Sequence, residues 1–169
     1  LLERAGELQR HEEVARLADA AGEAEEQAKR FEREDRAKNA ISVLGHPWDW
    51  DELSQVWADA QAVAGLVTGG VVPRSFLQSM QSWYATTLSI QARRSRTRTA
   101  DTGEVLSERA WIGRYQLARL RDRSAKSARS EIDRLLDTTE TRLMRARGQL
   151  QLAAIARLAE WLTRKEDRR

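Results

Sequence analysis

Four residues at one junction of the chain have side chains that could bind a metal ion. They are His46, Asp49, Asp51 and Glu52, and imidazole and carboxylate groups together are ligands for several divalent metals. The acids also fit the start of a helix, because Asp49 can accept a hydrogen bond from first-turn amides and Glu52 can complete a capping box. Helix capping explains these acids without a metal, so the sequence predicts no metal site and no cofactor.

Catalytic groups are sparse in the rest of the chain. It has two histidines, His11 and His46, no cysteine, and no glycine pattern of the phosphate-loop or dinucleotide-binding kind. Its serines and threonines lie in predicted helices and loops without a nearby histidine to activate them. The 26 acidic residues leave a catalytic carboxylate pair open, but no pair is set apart by its spacing. We therefore expect a protein that is not an enzyme and has no small-molecule substrate.

A basic segment follows the apolar middle of the chain and is a candidate for binding phosphates. Residues 91–169 hold 20 basic and 11 acidic residues, whereas residues 1–40 hold 8 basic and 11 acidic ones. The candidate nucleic-acid contacts are Arg93, Arg94, Arg96, Arg98, Arg119, Arg123 and Lys126. Such contacts would be independent of nucleotide sequence and sensitive to salt. The alternative is a solvated helix face whose arginines pair with the acidic first arm, since no helix-turn-helix or zinc-finger signature is present.

Three of the six tryptophans are candidates for binding a protein partner, because tryptophan is common in interface hot spots. Trp48 and Trp50 fall on opposite sides of a predicted turn, so we expect one of them to be exposed. Trp161 lies near the end of the chain, where it could hold the first arm. The alternative is that the tryptophans form the core of a compact head.

Helices must position these residues, because the chain has only 2 prolines and much Ala, Leu, Glu and Arg, a composition typical of long helices. Acid-before-base pairs four residues apart predict a first helix over residues 1–44, a charged arm. Its apolar residues follow a heptad seam, which consists of Val14, Leu17, Ala21, Ala24, Ala28 and Phe31. A seam made mainly of alanine buries little area, so this arm needs a partner helix.

Residues 45–100 predict an apolar, Trp-rich hairpin of two short helices, divided at Gly69-Gly70 and Pro73 and followed by a basic exit loop. Residues 101–169 predict one very long helix without proline, about 90 Å for some 60 residues at roughly 1.5 Å each. Its apolar spacing departs from heptads between Leu120 and Ile132, where three steps of four resemble a stutter.

The predicted fold class is therefore all-α, with four helices in one structural unit. The two short central helices pack on the long C-terminal helix, and the N-terminal helix forms an antiparallel, coiled-coil-like arm against its distal half. The heptad seam would serve equally well for pairing between protomers.

We expect a non-enzymatic structural or adaptor subunit that docks through helical surfaces in a larger assembly, by binding a protein partner or by self-association. The alternative is a nucleic-acid-associated protein that binds phosphates through Arg93–Arg98 and the following basic helix. No apolar run is long enough to span a bilayer, which argues against a membrane partner, and no signal peptide is apparent. The compartment stays undecided, although a chain without cysteine is compatible with the cytoplasm. Because the chain begins at Leu1 rather than methionine, it is open whether it is part of a longer protein.

Overall fold

The computed structural model describes the chain except for residues 1, 32–38, 98–101, 125 and 167–169. Its elements are α1 (Leu2–Arg30), β1 (Ala40–Val43), β2 (His46–Asp49), α2 (Trp50–Thr68), α3 (Arg74–Thr97), α4 (Thr102–Arg123), a 3-10 turn (Lys126–Ala128), α5 (Arg129–Leu143) and α6 (Ala146–Glu166). The chain divides into two compact units, Leu1–Gln55 and Val56–Arg169. The prediction of a mainly helical chain is confirmed, whereas the predicted count of four helices is wrong.

A β-hairpin in the first unit occupies a segment that the sequence predicts as the end of the first helix. Helix α1 ends at Arg30, and β1 pairs with β2 in antiparallel fashion, with Ile41 opposite Trp48. Leu44 and Gly45 connect the strands with positive φ angles of 56° and 75°, as a two-residue type I′ turn requires. The β-branched residues in β1 favour a strand over a helix, so the prediction of helix through residue 44 is wrong.

The register of this hairpin explains how a proline fits into β2. Val43 and His46 flank the two-residue turn as a hydrogen-bonded pair, so the next pair, Ser42 and Pro47, is a non-hydrogen-bonded one. The ladder therefore needs no N–H group from Pro47. Helix α1 contacts both strands, and the Ser42 hydroxyl donates to Gln27 Oε1 on α1 at 3.2 Å.

In the second unit, helices α3 to α6 form a four-helix bundle. Helix α3 packs against α4 and α6, and α5 also packs against α4 and α6. Arg74 at the start of α3 donates to the carbonyl of Thr163 near the end of α6, at 3.5 Å. Arg121 near the end of α4 pairs with Asp133 near the start of α5, at 2.8 Å. Neighbouring helices therefore run antiparallel, as in an up-down-up-down bundle.

The core of this bundle consists of large apolar side chains from all four helices. Fully or almost fully buried are Phe76, Leu77, Met80, Trp83, Leu117, Ile132, Leu143, Leu152 and Ile155. Helix α2 adds one buried face, formed by Val56, Ala60, Val63, Ala64 and Val67. The helical spacing of the apolar residues predicts a face that contains these five residues together with Leu53 and Trp57. The five are buried, whereas Leu53 is half-buried and Trp57 is 38% exposed. Gly70, with a φ of 71°, follows the end of α2, as the paired glycines predict.

The predicted long C-terminal helix is wrong, because residues 102–166 form three helices. The chain leaves α4 after Arg123 and leaves α5 after Leu143. The first interruption coincides with the irregular apolar spacing between Leu120 and Ile132. Helix α6 is not a solvated rod, since only Arg157, Trp161 and Arg164 are exposed among residues 147–164. The prediction of a rod of about 90 Å for this segment is therefore also wrong.

Gly148 and Gln149 shape the corner between α5 and α6. A Cβ atom on Gly148 would lie 2.2 Å from the carbonyl oxygen of Arg142, so only glycine allows the two helices to approach this closely. Gln149 is fully buried, and its amide nitrogen donates to the carbonyl of Leu143 at 2.9 Å. This hydrogen bond satisfies a carbonyl that α5 leaves free at its C-terminus.

Candidate functional site

The structure places the three candidate tryptophans in different surroundings. Trp48 is fully buried in the first unit, where its indole N–H donates to the carbonyl of Val43 at 2.9 Å. Its surface is therefore closed to a partner in this fold. Trp50, the first residue of α2, is 49% exposed, and Trp161 on α6 is 50% exposed.

Trp161 lies on the narrow exposed stripe of α6, among charged side chains. Glu160 accepts from Arg164 at 2.5 Å and lies 3.8 Å from Arg157. It also accepts a hydrogen bond from the Gln81 side chain of α3 at 3.2 Å. Glu160 thus accepts hydrogen bonds from two side chains and lies within ion-pair distance of a third, and it directly precedes Trp161 in the chain.

Helix α1 leaves much of its heptad seam uncovered. Leu17 is 70% exposed, and residues 15–23 are all exposed. Ala24 and Ala28 are half-buried, on the part of α1 that leads toward the hairpin. Two of the exposed acids form ion pairs within the helix, Glu26 with Lys29 at 3.7 Å and Glu25 with Lys29 at 2.8 Å. That hydrogen bond lowers the pKa of Glu25 and raises the pKa of Lys29.

The acidic junction before α2 serves the helix start. Asp49 Oδ1 accepts a hydrogen bond from the backbone N–H of Asp51 at 2.9 Å, so the prediction that Asp49 caps this helix is confirmed. Across the described part of the chain, no three His, Asp or Glu side chains come together as metal ligands would. Likewise, no described helix is both long and apolar enough to cross a membrane.

The candidate nucleic-acid residues fall into two groups. Arg93, Arg94 and Arg96 lie in α3, which continues to Thr97, so the predicted basic loop is wrong at these positions. Their side chains, and all of Arg98, lie outside the described residues. The other three, Arg119, Arg123 and Lys126, are all exposed.

Arg119 and Arg123 differ from the other basic residues of α4 whose side chains are described in having no acidic partner, and Lys126 in the following turn has none either. Arg114 pairs with Glu140 at 3.2 Å and Arg121 with Asp133 at 2.8 Å, both across to α5. Among the side chains that the structure describes, none forms an ion pair with Arg119, Arg123 or Lys126. Arg119 instead lies over the ring of Tyr115, with its Cζ 5.6 Å from the ring centroid.

Arg119 and Arg123 line a groove of about 1040 Å³ between α4, the start of α3 and the turn after α2. We call it the α3–α4 groove. Tyr115, which is 54% exposed, and Gln116 lie on the same wall, and the described residues that line the groove include no carboxylate. The two arginines were predicted from the sequence, whereas Tyr115 was not. The available signal was the spacing of Tyr115, Arg119 and Arg123, which puts one residue on each successive turn of a helix.

A second groove of about 630 Å³ lies between α2, α5 and α6. Its floor is apolar, with Leu66, Met80, Leu152 and Ile155 among its lining residues. Its charged lining residues have both signs, and two of them, Asp59 and Arg142, pair at 2.6 Å. This groove is therefore internally neutralised, unlike the α3–α4 groove.

Comparisons with protein-family models, with curated proteins and with solved structures give no match for this chain. Its function must therefore be inferred from the exposed seam of α1, the exposed tryptophans and the α3–α4 groove.

Proposed function

We propose that this protein is a non-enzymatic docking subunit whose α1 helix packs against a helix of another chain. The observation that carries the proposal is the uncovered seam of α1, with Leu17 70% exposed and residues 15–23 exposed on every side. The seam has the 3–4 spacing that coiled-coil partners recognise.

The low stability of an isolated helix supports the proposal that α1 packs against a partner. An isolated helix is marginal in water, and most helical stability in proteins comes from packing of an apolar face. Full burial of a leucine side chain contributes about 1.5 to 3 kcal/mol. The alanines at positions 21, 24 and 28 add little area, but they allow a second helix to approach closely. A helix of another copy or of another protein would cover Leu17 and complete the seam.

The exposed tryptophans are compatible with further contacts to the same assembly. Trp50 and Trp161 are each about half exposed, at 49% and 50%, and amphipathic aromatic side chains of this kind are frequent anchors of interfaces. We propose them as secondary docking positions, each within its own unit.

The test uses the absence of cysteine from the chain, which allows a single label to be placed at will. Leu17→Cys puts an environment-sensitive fluorophore on the seam, and Asp19→Cys puts it on the opposite side of the same helix. We expect the emission of the label at position 17 to shift to the blue as a helix covers it, with no shift at position 19. Dilution of the labelled chain tests a second copy as partner, and photo-crosslinkers at both positions, used in the native cells, test a different protein.

A crosslinked product or blue shift at position 17 that is absent at position 19 would support docking through the seam. Equal signals at both positions would show non-specific association. A chain that is monomeric at high concentration, gives no crosslink in cells and still protects the amides of α1 from hydrogen exchange would refute the proposal. A second candidate function, binding of nucleic acid, is favoured by a separate observation in the second unit, the α3–α4 groove.

A further inference from the structure

We propose that the α3–α4 groove binds a short segment of single-stranded nucleic acid, with a base stacked at Tyr115 and phosphates on Arg119 and Arg123. This site goes beyond the docking function, since it lies in the second unit and uses none of the residues of α1.

The charge of the groove indicates an anionic ligand. Arg119 and Arg123 line it, and none of the described lining residues is acidic. Both arginines are exposed and lack an ion-pair partner among the described residues, and Lys126 follows in the turn after α4. The two arginines are one helical turn apart, a rise of roughly 6 Å at 1.5 Å per residue. A row of cations along a groove suits the repeating phosphates of an extended strand.

The aromatic group distinguishes nucleic acid from other anions. Tyr115 is 54% exposed and lies under Arg119, with 5.6 Å between the Cζ and the ring centroid. Single-strand binding proteins combine aromatic rings and arginine planes, on which bases stack, with a positive groove that follows the backbone. An acidic peptide would use the arginines but would gain little from the ring.

Polar groups on the walls could contact the base edges. Gln116 Oε1 accepts a hydrogen bond from the Trp83 indole at 3.2 Å, which leaves the amide N–H groups of Gln116 as donors. The hydroxyls of Ser79 and Ser124 donate to carbonyls of their own helices at 3.3 and 2.6 Å, so their oxygen lone pairs remain as acceptors. Bases carry both acceptors and exocyclic amines, which match these two kinds of group.

The test is fluorescence anisotropy of the full chain with a labelled thymidine oligonucleotide, at two or more salt concentrations. We expect Tyr115→Ala to weaken binding roughly 5- to 150-fold and Tyr115→Phe to retain it, because the ring and not the hydroxyl carries the stacking. Arg119→Ala and Arg123→Ala should each reduce the slope of log affinity against log salt by about 0.7, the value for one phosphate contact to a single strand.

Arg121→Ala is the matched control. Arg121 is on the same helix and is exposed, but it pairs with Asp133 and does not line the groove. Arg121→Ala removes the same charge as Arg123→Ala. Because Arg121 lies outside the groove, we expect the affinity and the salt slope of this variant to stay at the parental values. All these side chains are solvent-exposed, and the helical circular dichroism of each variant checks that it folds.

Three results would overturn the proposal. The first is the absence of measurable binding by the parent chain at low salt. The second is a loss in Arg121→Ala as large as in Arg123→Ala, which would mean diffuse attraction instead of a site. The third is displacement of the oligonucleotide by polyglutamate at equal charge concentration, together with no effect of Tyr115→Ala, which would assign the groove to an acidic protein segment.

Discussion

Replacing Gly148 by alanine distinguishes a continuous C-terminal helix from the corner between α5 and α6. The substitution should raise the free energy of unfolding if the helix is continuous and lower it if the corner is present. In the interior of a straight helix, alanine is more stable than glycine by about 0.5 to 1 kcal/mol. In the corner, the added Cβ would lie 2.2 Å from the carbonyl oxygen and 2.7 Å from the Cα of Arg142. These are backbone atoms, which cannot rotate away as the end of a side chain can.

The expected loss combines two costs. Overpacking of this kind costs about 1 to 3 kcal/mol. Opening the corner also strains the hydrogen bond from buried Gln149 to the carbonyl of Leu143, and a buried polar group left unsatisfied costs about 1 to 3 kcal/mol. We therefore expect Gly148→Ala to lower the free energy of unfolding by about 3 kcal/mol.

Two other glycines give a graded series for the same assay. Gly65 in α2 is exposed and has no heavy atom within 4 Å of an added Cβ, so Gly65→Ala should raise the free energy of unfolding by about 0.5 to 1 kcal/mol. At Gly113 the nearest atom is Cδ1 of Leu143, 2.7 Å away. This side chain can shift, so Gly113→Ala should cost about 1 kcal/mol.

The measurement is urea denaturation followed by circular dichroism, with free energies obtained by linear extrapolation. Gly65→Ala controls for the intrinsic helix preference of alanine. If Gly148→Ala matched or exceeded the stability of the parent while Gly65→Ala was stabilised, the helix would run straight through residues 144 and 145. The bundle formed by α3 to α6 would then be wrong.

Two further predictions concern the second unit. Asp59 and Arg142 pair at 2.6 Å with side chains only 23% and 15% exposed, so a double-mutant cycle with Asp59→Asn and Arg142→Gln should give a coupling of roughly 1 to 2 kcal/mol; a coupling near zero would contradict it. Burial raises the pKa of Tyr84 above 10.0, although the positive charge of Arg147 opposes the shift. The stabilisation that protonated Tyr84 contributes to the fold is therefore fully present below the pKa of the unfolded state and is lost as the pH rises through the pKa of the folded state. In Tyr115→Phe, tyrosinate absorbance reports Tyr84 alone, and a midpoint at or below 10.0 would refute the shift.

Local signals were sufficient to predict the ends of α2. Its start depends on Asp49, whose carboxylate accepts from the N–H of Asp51 at 2.9 Å, and its end is followed by Gly70, whose φ is 71°. Both signals act within a few residues of the helix that they limit. The buried face of α2 was predictable for the same reason, because its spacing is a property of one helix.

The corner after α5 could not be predicted in this way. Residues 144 and 145, where the helices separate, are Met and Arg, which are both good helix formers. The corner is instead stabilised by residues on its far side, Gly148 and Gln149, through contacts with Arg142 and Leu143. The spacing of apolar residues does not reveal a helix-breaking signal that lies inside the next helix. The hairpin was missed because β1 and β2 have four residues each, too few to separate a strand from a helix end by spacing.

The pairing of charges bears on the two interpretations of the surplus arginines. The sequence is compatible with arginines that bind phosphates and with arginines that pair with the acidic first arm. Arg114 and Arg121 pair with acids of α5, and in the first unit Glu25 and Glu26 pair with Lys29, so these charges are neutralised by near neighbours. Arg119 and Arg123 have no such neighbour in the described structure and share a groove wall with an exposed ring. At Arg119 and Arg123, unpaired positive charge therefore lies beside a ring on which a base could stack, and comparison of Arg121→Ala with Arg123→Ala measures the contribution of that site directly.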